Sequence, residues 1–211
     1  MKELQSITRE ILKCLLFLKS LNLVHCDLKP ENLLFVDEQQ LKVRVIDFGS
    51  ASFLDNQSYD FLQTKPYRAP EVCFGSNFDH SADMWSLGCI LYELMTSRVL
   101  FPYKTVQENM AKALAINKVY DLKMFQEGPR RKNYINNYGL LAIAHTDQRA
   151  DDNLTEVVIP LKGFDLFGET NWQTEQQTLL SFIQGCLVLD PSRRIKVEDA
   201  LVHPFLKQKL N

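Results

Sequence analysis

The segment His25-Cys26-Asp27-Leu28-Lys29-Pro30-Glu31-Asn32 is the most informative stretch of the chain. It places a carboxylate, an ammonium and a side-chain amide between two apolar segments, residues 21–24 and residues 33–36. Asp47-Phe48-Gly49 follows at the end of a third apolar segment. Polar side chains at the ends of neighbouring strands can meet at one edge of a fold. The two motifs therefore predict one functional site built from separate parts of the chain.

A β-hairpin is expected to join these motifs. Residues 33–36 form its first strand, and residues 41–46 alternate apolar and basic side chains with the period of two that a strand requires. Residues 37–40 are polar and suit the turn. Because the two ends of a hairpin lie side by side, the first motif would enter the hairpin beside the place where Asp47 leaves it.

The remaining apolar pattern predicts helices, so the expected fold class is α+β and mainly α. Residues 4–21 carry apolar side chains at intervals of three and four, which predicts an amphipathic helix. Further helices are expected at residues 81–95, 106–116, 174–189 and 197–201. The helix at 81–95 is apolar around much of its circumference and should lie at the centre of the core. Its expected buried face contains Trp85, Leu87, Cys89, Ile90, Leu91 and Leu94.

Two long stretches show no regular periodicity. Residues 49–71 are polar, and a loop of this length inside a compact domain is usually functional. Residues 117–172 combine a Gly-Pro turn, a basic run and an acidic polar stretch, and we expect an insert-like region that varies among related proteins. The basic run Arg130-Arg131-Lys132 favours a solvated face over a docking site.

Composition narrows the class of protein and its compartment. The chain has 211 residues, 45% of them hydrophobic and 24% charged, which is ordinary for one globular domain. A formal net charge of −2 gives no indication of a nucleic-acid or membrane partner. The five cysteines are scattered without a C-x-x-C pair, which favours free thiols and a cytoplasmic or nuclear location. No apolar run approaches the ~20 residues of a membrane span.

Transfer of a phosphoryl group asks little covalent chemistry of a protein. It requires magnesium held against the phosphates, a positive charge near the migrating group and an oriented hydroxyl group. The order and spacing of the two motifs resemble the catalytic loop and the metal-binding triplet of eukaryotic protein kinases. The resemblance implies ATP and Mg²⁺ as cofactors and proteins as substrates.

The resemblance also implies a role for each reactive residue of the two motifs. Asp27 matches the residue that accepts the proton of the substrate hydroxyl group. Lys29 matches the lysine that neutralises the transferred phosphate in serine/threonine kinases. Asn32 and Asp47 match the magnesium ligands, and magnesium prefers oxygen ligands of this kind. Lys29, Asn32 and Asp47 together would form the nucleotide-binding set.

Other matching positions imply structural support. His25 and Phe48 resemble the residues that pack beneath the site. Asp83 resembles the aspartate of a central helix that holds the backbone of the catalytic loop. Arg194 matches an arginine of a late loop and would pair with Glu71, which ends the activation segment.

Two features narrow the family further. Arg68 before Ala-Pro-Glu is typical of the CMGC group of kinases, whose members often prefer proline directly after the phosphorylated residue. Cys26 in place of arginine, with Asp-Phe-Gly-Ser further on, resembles the dual-specificity tyrosine-regulated (DYRK) and homeodomain-interacting kinases. Thr64 and Lys29 indicate serine and threonine substrates. The resemblance therefore implies a serine/threonine or dual-specificity kinase.

The activation segment departs from the pattern of that group. Cys26 cannot pair with a phosphate in the activation loop, as arginine does in many kinases. DYRK-like kinases instead phosphorylate one of their own tyrosines, and the matching position here is Phe61. We expect this loop to be held by packing, or by Tyr59 as a substitute.

The 211 residues match the C-terminal, larger lobe of a kinase domain, and the N-terminal lobe is expected to be absent from this sequence. No glycine-rich loop or strand lysine precedes the first helix. Three hypotheses follow: a kinase completed by a longer native chain, an inert kinase-like lobe that serves as a protein-binding scaffold, and a nucleotide-binding regulator without catalysis. For the third, we expect ATP–magnesium binding to this chain alone to be weak.

Overall fold

The computed structural model describes residues 1–37, 42–56, 62–102, 105–117, 128–134 and 174–207. This part of the chain is rich in helix, and its strands form two antiparallel sheets of two strands each. The helices are α1 (Lys2–Ser20), α2 (Pro70–Phe74), α3 (Ser81–Thr96), α4 (Val106–Asn117), α5 (Thr174–Cys186), α6 (Val197–Leu201) and α7 (Pro204–Lys207). The strands are β1 (Leu23–Val24), β2 (Leu33–Asp37), β3 (Lys42–Val45) and β4 (Ser52–Phe53).

Helix α1 is amphipathic, as the spacing of its apolar residues predicted. Ile11 and Leu12 are fully buried on the inner face, whereas Phe17 on the outer face is 61% exposed. The helix ends where Leu21 N–H donates to Leu18 O at 3.0 Å. Residues 25–32, named here the catalytic motif after the kinase loop that they resemble, begin shortly after it. Helix α1 packs against β1 and β3, and it therefore supports the strands that adjoin both motifs.

The predicted hairpin strands are confirmed. Strands β2 and β3 pair antiparallel, with Leu33 opposite Val45 and Phe35 opposite Val43. Val43 and Val45 are buried while the basic residues beside them face solvent, which is the alternation seen in the sequence. The turn, residues 38–41, lies outside the described residues. The hairpin sets the two motifs at one edge of the sheet.

A second strand pair was not predicted. Leu23 pairs with Phe53 and Val24 with Ser52, so that β4 crosses the chain just before the catalytic motif. Two-residue strands cannot show an alternating pattern, and only pairing with a distant segment makes them strands. The stretch 49–71, expected to be irregular, therefore begins with a strand that ties it to the core.

Helix α3 lies in the core as expected. Trp85 and Leu87 are buried, and the indole of Trp85 stacks on Phe101 with ring centroids 5.5 Å apart. The prediction that Leu94 belongs to the buried face is wrong, since this side chain is 41% exposed. The last turn of α3 extends beyond the elements that cover its earlier turns, and residues 92–96 are all partly or fully exposed.

Helix α5 ends at Cys186, three residues before the predicted end at Leu189. The side chain of Asn117 takes over there, because its Nδ2 donates to Leu187 O at 2.9 Å and its Oδ1 accepts from Leu189 N–H at 2.8 Å. A side chain of α4 thus satisfies backbone groups that a longer helix would have paired. Gly88 lets α3 and α5 approach closely, since a Cβ atom at this position would lie 2.8 Å from Cys186 Cβ.

Helix α6 has the predicted bounds, and α4 extends one residue beyond them. The short helices α2 and α7 were not predicted. Both begin with proline, which favours the first helical position but gives no periodicity in five or four residues. The insert-like region predicted at 117–172 lies outside the described residues, except for Asn117 and residues 128–134. Among the described helices, none combines the length and apolar character needed to cross a bilayer.

Candidate active site

Asp27 is the centre of the site, and four groups from three residues donate to it. Lys29 Nζ donates to Asp27 Oδ2 at 2.6 Å, and Thr64 Oγ1 donates to Asp27 Oδ1 at 2.6 Å. The backbone N–H of Thr64 also donates to Oδ1, at 3.1 Å. Asn32 Nδ2 lies 2.8 Å from Asp27 O and 3.2 Å from Oδ2. The structure therefore brings together Asp27, Lys29, Asn32 and Thr64.

Asp27 and Lys29 each stabilise the charged form of the other. Burial alone would raise the pKa of Asp27, but the hydrogen bonds from Lys29 and Thr64 and the charge of Lys29 bring it below its ordinary value. The pKa of Lys29 is raised, chiefly by its hydrogen bond to Asp27, and burial opposes this shift. Both side chains are therefore ionised at neutral pH, and the centre of the site is a carboxylate rather than a carboxylic acid.

Asp83 holds the backbone before Asp27. Its carboxylate accepts from His25 N–H at 2.8 Å and from Cys26 N–H at 3.1 Å. Burial raises the pKa of Asp83, and the two backbone hydrogen bonds oppose that shift. Because Asp83 belongs to the first turn of the rigid core helix α3, it fixes the catalytic motif relative to the core.

His25 links the two motifs. Its Nδ1 accepts from Asp27 N–H at 3.2 Å, which leaves Nε2–H to donate to Ile46 O at 3.1 Å. The ring of Phe48 meets the imidazole edge-on with centroids 5.0 Å apart, although Phe48 itself is 44% exposed. Asn32 O accepts from Ile46 N–H at 2.9 Å. These contacts hold Asp47 next to the catalytic motif.

The donor set of Asn32 and Asp47 fits a magnesium ion. In the described part of the chain, the Asn32 side chain forms hydrogen bonds through Nδ2 and none through Oδ1, so Oδ1 remains available as a metal ligand. Asp47 is exposed and accepts from Gly49 N–H at 3.2 Å through Oδ1. The described residues contain no cluster of three or more His, Cys, Asp or Glu suited to a metal. Magnesium needs only one or two carboxylates because it keeps several waters.

Gln63 is a site residue that the sequence analysis missed. Its buried side chain donates to Ala82 O at 3.1 Å and to Ser86 Oγ at 3.0 Å, and accepts from Ala69 N–H at 2.8 Å. Its own N–H donates to Cys26 O at 2.8 Å. Gln63 therefore connects the activation segment to both the catalytic motif and α3. A glutamine in a polar stretch gives no sequence signal for such burial.

Arg68 closes the same segment on itself. Its Nε donates to Leu62 O at 2.8 Å, and its Nη2 donates to Gln63 O at 2.7 Å. The carbonyl oxygen of Gln63 is thus engaged by the guanidinium group of Arg68. Tyr59 and Phe61, the two positions considered for loop phosphorylation, lie outside the described residues.

Glu71 and Arg194 form a fully buried ion pair. Arg194 Nη1 lies 2.7 Å from Glu71 Oε1, and Nη2 lies 3.0 Å from Oε2. The guanidinium also donates to Ser81 O at 2.8 Å and lies over the ring of Trp85, 5.1 Å from its centroid. This pair ties the end of the activation segment to the core.

Backbone strain is concentrated at the site. Among the described residues, five that are not glycine have a positive φ, and three of them belong to these segments: Cys26 (62°), Asp47 (64°) and Gln63 (62°). Such conformations are costly for residues with a Cβ atom and persist where surrounding contacts impose them. The hydrogen bonds of Asp83, Gly49 and Gln63 are those contacts.

The sequence matches a known protein family and several known proteins. The family model "Protein kinase domain" matches residues 1–206. The chain is 33% identical to human dual specificity tyrosine-phosphorylation-regulated kinase 4, over 97% of this chain and 38% of that protein. It is 33% identical to the DYRK-family kinase pom1 of Schizosaccharomyces pombe, over 98% of this chain and 18% of that protein.

A third relative is the serine/threonine-protein kinase ppk5 of Schizosaccharomyces pombe, 33% identical over 97% of this chain and 23% of that protein. The chain thus spans less than two fifths of the length of these curated relatives. On the family match and the shared sequence, the chain belongs to the protein kinase domain family, with DYRK-family kinases among its relatives.

Proposed function

We propose that this chain is the C-terminal lobe of a serine/threonine or dual-specificity protein kinase, which transfers the γ-phosphoryl group of ATP to hydroxyl groups of proteins. The observation that carries the proposal is the convergence of Lys29, Asn32 and Thr64 on the ionised carboxylate of Asp27. A carboxylate held by cationic and hydroxyl donors at a partly open surface suits a residue that orients a substrate hydroxyl group and accepts its proton.

Each residue of the cluster has a defined task in this proposal. Asp27 orients the hydroxyl group that attacks and takes its proton, and Thr64 holds the carboxylate in place. Lys29, which pairs with Asp27, would neutralise the charge of the transferred phosphate. Asn32 and Asp47 would hold magnesium, which would offset the negative charge of the phosphates.

A preference for proline follows from Gln63 and Arg68. Because Arg68 Nη2 occupies the carbonyl oxygen of Gln63, a substrate residue beside Gln63 finds that acceptor already used. A backbone N–H placed there loses a partner, whereas proline has no N–H to satisfy. We therefore propose that the residue after the phosphorylated serine or threonine is preferentially proline.

The activation segment needs no phosphate for the part described. Cys26 supplies no positive charge, and its carbonyl instead accepts from Gln63 N–H at 2.8 Å. Neutral, buried hydrogen bonds hold the segment where an arginine–phosphate pair would otherwise do so. Mass spectrometry of the active protein tests whether Tyr59 is phosphorylated. Phosphate on Tyr59 in all active molecules would contradict a segment held by packing and neutral bonds alone.

The scaffold hypothesis rests on one observation. Leu34, Phe35 and Val36 of β2 are 53%, 46% and 49% exposed beside the catalytic motif. A contiguous exposed apolar strip marks a contact with other protein. If the chain is a kinase lobe, the remainder of a longer native chain covers this strip. If it is a scaffold, a separate partner does.

Phosphorylation of a Ser-Pro peptide by the full native protein separates these functions. We expect Asp27→Asn to lower the rate by about 10²–10⁴-fold, the usual contribution of a general base, and Asp47→Ala by at least about 10²-fold. Asp55→Ala, an exposed aspartate outside the cluster, is the matched control and should keep the rate. Equal rates in all four proteins, or no activity in any, would refute the kinase proposal and leave the scaffold.

The five cysteines support a location in the cytoplasm or nucleus. All five are free thiols, and three of them are buried. Burial raises the pKa of Cys73 to about 12 and that of Cys14 to about 11, so both stay as unreactive thiols at neutral pH. We propose a reducing compartment, and imaging of the tagged native protein tests this.

A further inference from the structure

A cavity of about 330 Å³ lies apart from the Asp27 cluster. It is enclosed by α1, the N-terminal turn of α3 and the loop that precedes α6, and Asp27, Lys29, Asn32 and Asp47 do not line it. This volume is at the lower end of the range for small-molecule sites, about 300–1,000 Å³. Leu15, Met84 and Val197 give the cavity an apolar wall. The cavity is therefore large enough for a small ligand with an apolar part.

Two polar atoms of the lining have no partner. His80 Nε2 and Ser81 Oγ are buried, and no hydrogen bond in the described part of the chain satisfies either of them. Buried polar groups are usually paired, and leaving one unpaired is unfavourable. Both residues line the cavity. A ligand or ordered water in the cavity is the nearest source of the missing partner.

The uncommitted groups of the lining are donors. Lys19 and Lys196 both line the cavity, and the ammonium group of Lys196 has no hydrogen bond or ion pair among the described residues, although its charge helps to lower the pKa of Glu198. Lys19 Nζ is held by Glu198 at 2.6 Å. Ser81 adds a hydroxyl group that can donate.

Two carboxylates line the cavity, and hydrogen bonds in the described part of the chain engage three of their four oxygens. Asp83 accepts from the backbone of the catalytic motif through both oxygens. Asp79 Oδ1 accepts from Ser81 N–H at 2.8 Å. The hydroxyl group of Ser192 donates to Asp190 Oδ1 at 2.7 Å. A ligand that donates hydrogen bonds therefore finds few acceptors in this wall, whereas a ligand that accepts finds several donors.

The side chain of His80 can donate a hydrogen bond while it is uncharged. Burial lowers its pKa, the charge of nearby Asp79 opposes this, and Lys19 lowers the pKa further. The ring is therefore neutral at pH 7 and carries one proton, which an acceptor in the cavity would draw to Nε2. The unpaired nitrogen then becomes a hydrogen-bond donor to the ligand.

We propose that this cavity is a binding site for a small amphipathic oxyanion, a carboxylate or phosphate monoester attached to an apolar group. The oxyanion accepts from Ser81, His80 and the ammonium of Lys196, and the apolar group lies against Leu15 and Met84. The site does not depend on the proposed kinase function, because none of its residues belongs to the Asp27 cluster.

Sodium benzoate is the probe, and the ¹³C-labelled methyl group of Met84 in the purified native protein is the reporter. We expect a saturable shift of the Met84 signal with half-saturation at about 1 mM or below, as suits a fragment-sized ligand. Met95 and Met110 do not line the cavity and serve as internal references. Benzyl alcohol has the same ring without the charge and should bind at least about fivefold more weakly.

Two variants test the assigned contacts. Lys196→Met and Ser81→Ala should each weaken benzoate binding by about 3- to 10-fold, and neither replaces a residue with a hydrogen-bonded side chain in the described part of the chain. Lys207→Met, an exposed lysine outside the cavity, is the matched control. Phenyl phosphate in place of benzoate shows which head group the site prefers.

The proposal is overturned by any of three results. These are no saturable Met84 shift up to about 20 mM benzoate, far above the expected half-saturation, equal binding of benzoate and benzyl alcohol, or unchanged binding in Lys196→Met. The first would mean that only water fills the cavity. The others would mean that the donors do not recognise the anion.

Discussion

Two ion pairs of this chain have almost the same length and opposite surroundings. Arg194 and Glu71 approach to 2.7 Å with side chains 0% and 1% exposed. Lys29 and Asp27 approach to 2.6 Å with side chains 21% and 14% exposed. Distance alone therefore does not separate a structural pair from a functional one. What separates them is whether either partner can still reach another group.

The guanidinium of Arg194 has no spare capacity. Its two terminal nitrogens hold Glu71 in a bidentate arrangement, and its other N–H groups reach the carbonyls of Ser81, Val188 and Leu189. Lys29, by contrast, is a point charge on a flexible stem at a partly open surface. The first pair can only fasten segments together, whereas the second can exchange one anionic partner for another.

The largest expected effect comes from breaking the buried pair. Arg194→Met leaves Glu71 buried without its partner, and we expect a loss of about 3–5 kcal/mol in the free energy of unfolding. Urea denaturation followed by circular dichroism measures this loss. Arg193→Met, at the exposed neighbouring arginine, is the control and should change stability by less than about 0.5 kcal/mol. A similar change in both variants would show that the burial of the pair has no special role.

The neutral hydrogen bonds of the buried Gln63 side chain test whether burial or charge makes a contact important for the free energy of unfolding. Gln63→Met removes both donors and the acceptor of the buried amide and leaves Ala69 N–H unpaired. We expect a loss of about 1–3 kcal/mol in the free energy of unfolding. Asn133→Met at an exposed amide should stay within about 0.5 kcal/mol of the original protein. A loss below that limit for Gln63→Met would refute its proposed role as a connector.

The smallest expected change in stability comes from breaking the partly exposed pair of Lys29 and Asp27. Lys29→Met should lower the free energy of unfolding at pH 7 by only about 0.5–1 kcal/mol, since the pair is partly open to water. Kinase activity should fall far more than stability. Lys13→Met, which breaks an exposed pair with Glu10, is the matched control for stability. A loss as large as that of Arg194→Met would show that the two pairs serve the same purpose.

The dependence on pH gives the sign of this contribution. The pKa of Asp27 in the folded protein lies below its ordinary value of 3.8. Its ionised form therefore adds stability that is fully present above about pH 4 and is lost as the pH falls through the folded pKa. The stability difference between the original protein and Lys29→Met should be constant from about pH 8 to 5 and shrink below about pH 4. A difference that grows in acid would contradict this order.

Much of the fold could be predicted because its signals are local. Helices α1, α3 and α4 repeat apolar residues over several turns, and strand β3 alternates basic and apolar residues over four positions. Strands β1 and β4 have two residues each, and α2 and α7 have five and four, so none of them is long enough to repeat its period. Leu94 was misplaced because periodicity gives the face of a helix and not how far its cover extends.

The candidate site divides in the same way. Asp27, Lys29, Asn32 and Asp47 were singled out because their side-chain chemistry and spacing form a motif. Gln63 was missed, since its role depends on carbonyl and hydroxyl groups of α3 that come close only in the folded chain. Asn117 was missed for the same reason at the end of α5.

The sequence by itself determined most of the core helices, the hairpin strands and the motif residues Asp27, Lys29, Asn32 and Asp47, because these depend on residue type and short-range spacing. Only the tertiary structure decided which carboxylate is spent on fastening segments and which stays open to a substrate. In the sequence, Glu71 and Asp27 are both simply residues with a carboxylate side chain. Burial and the number of donors around each carboxylate make them different, and both come from residues far away in the chain.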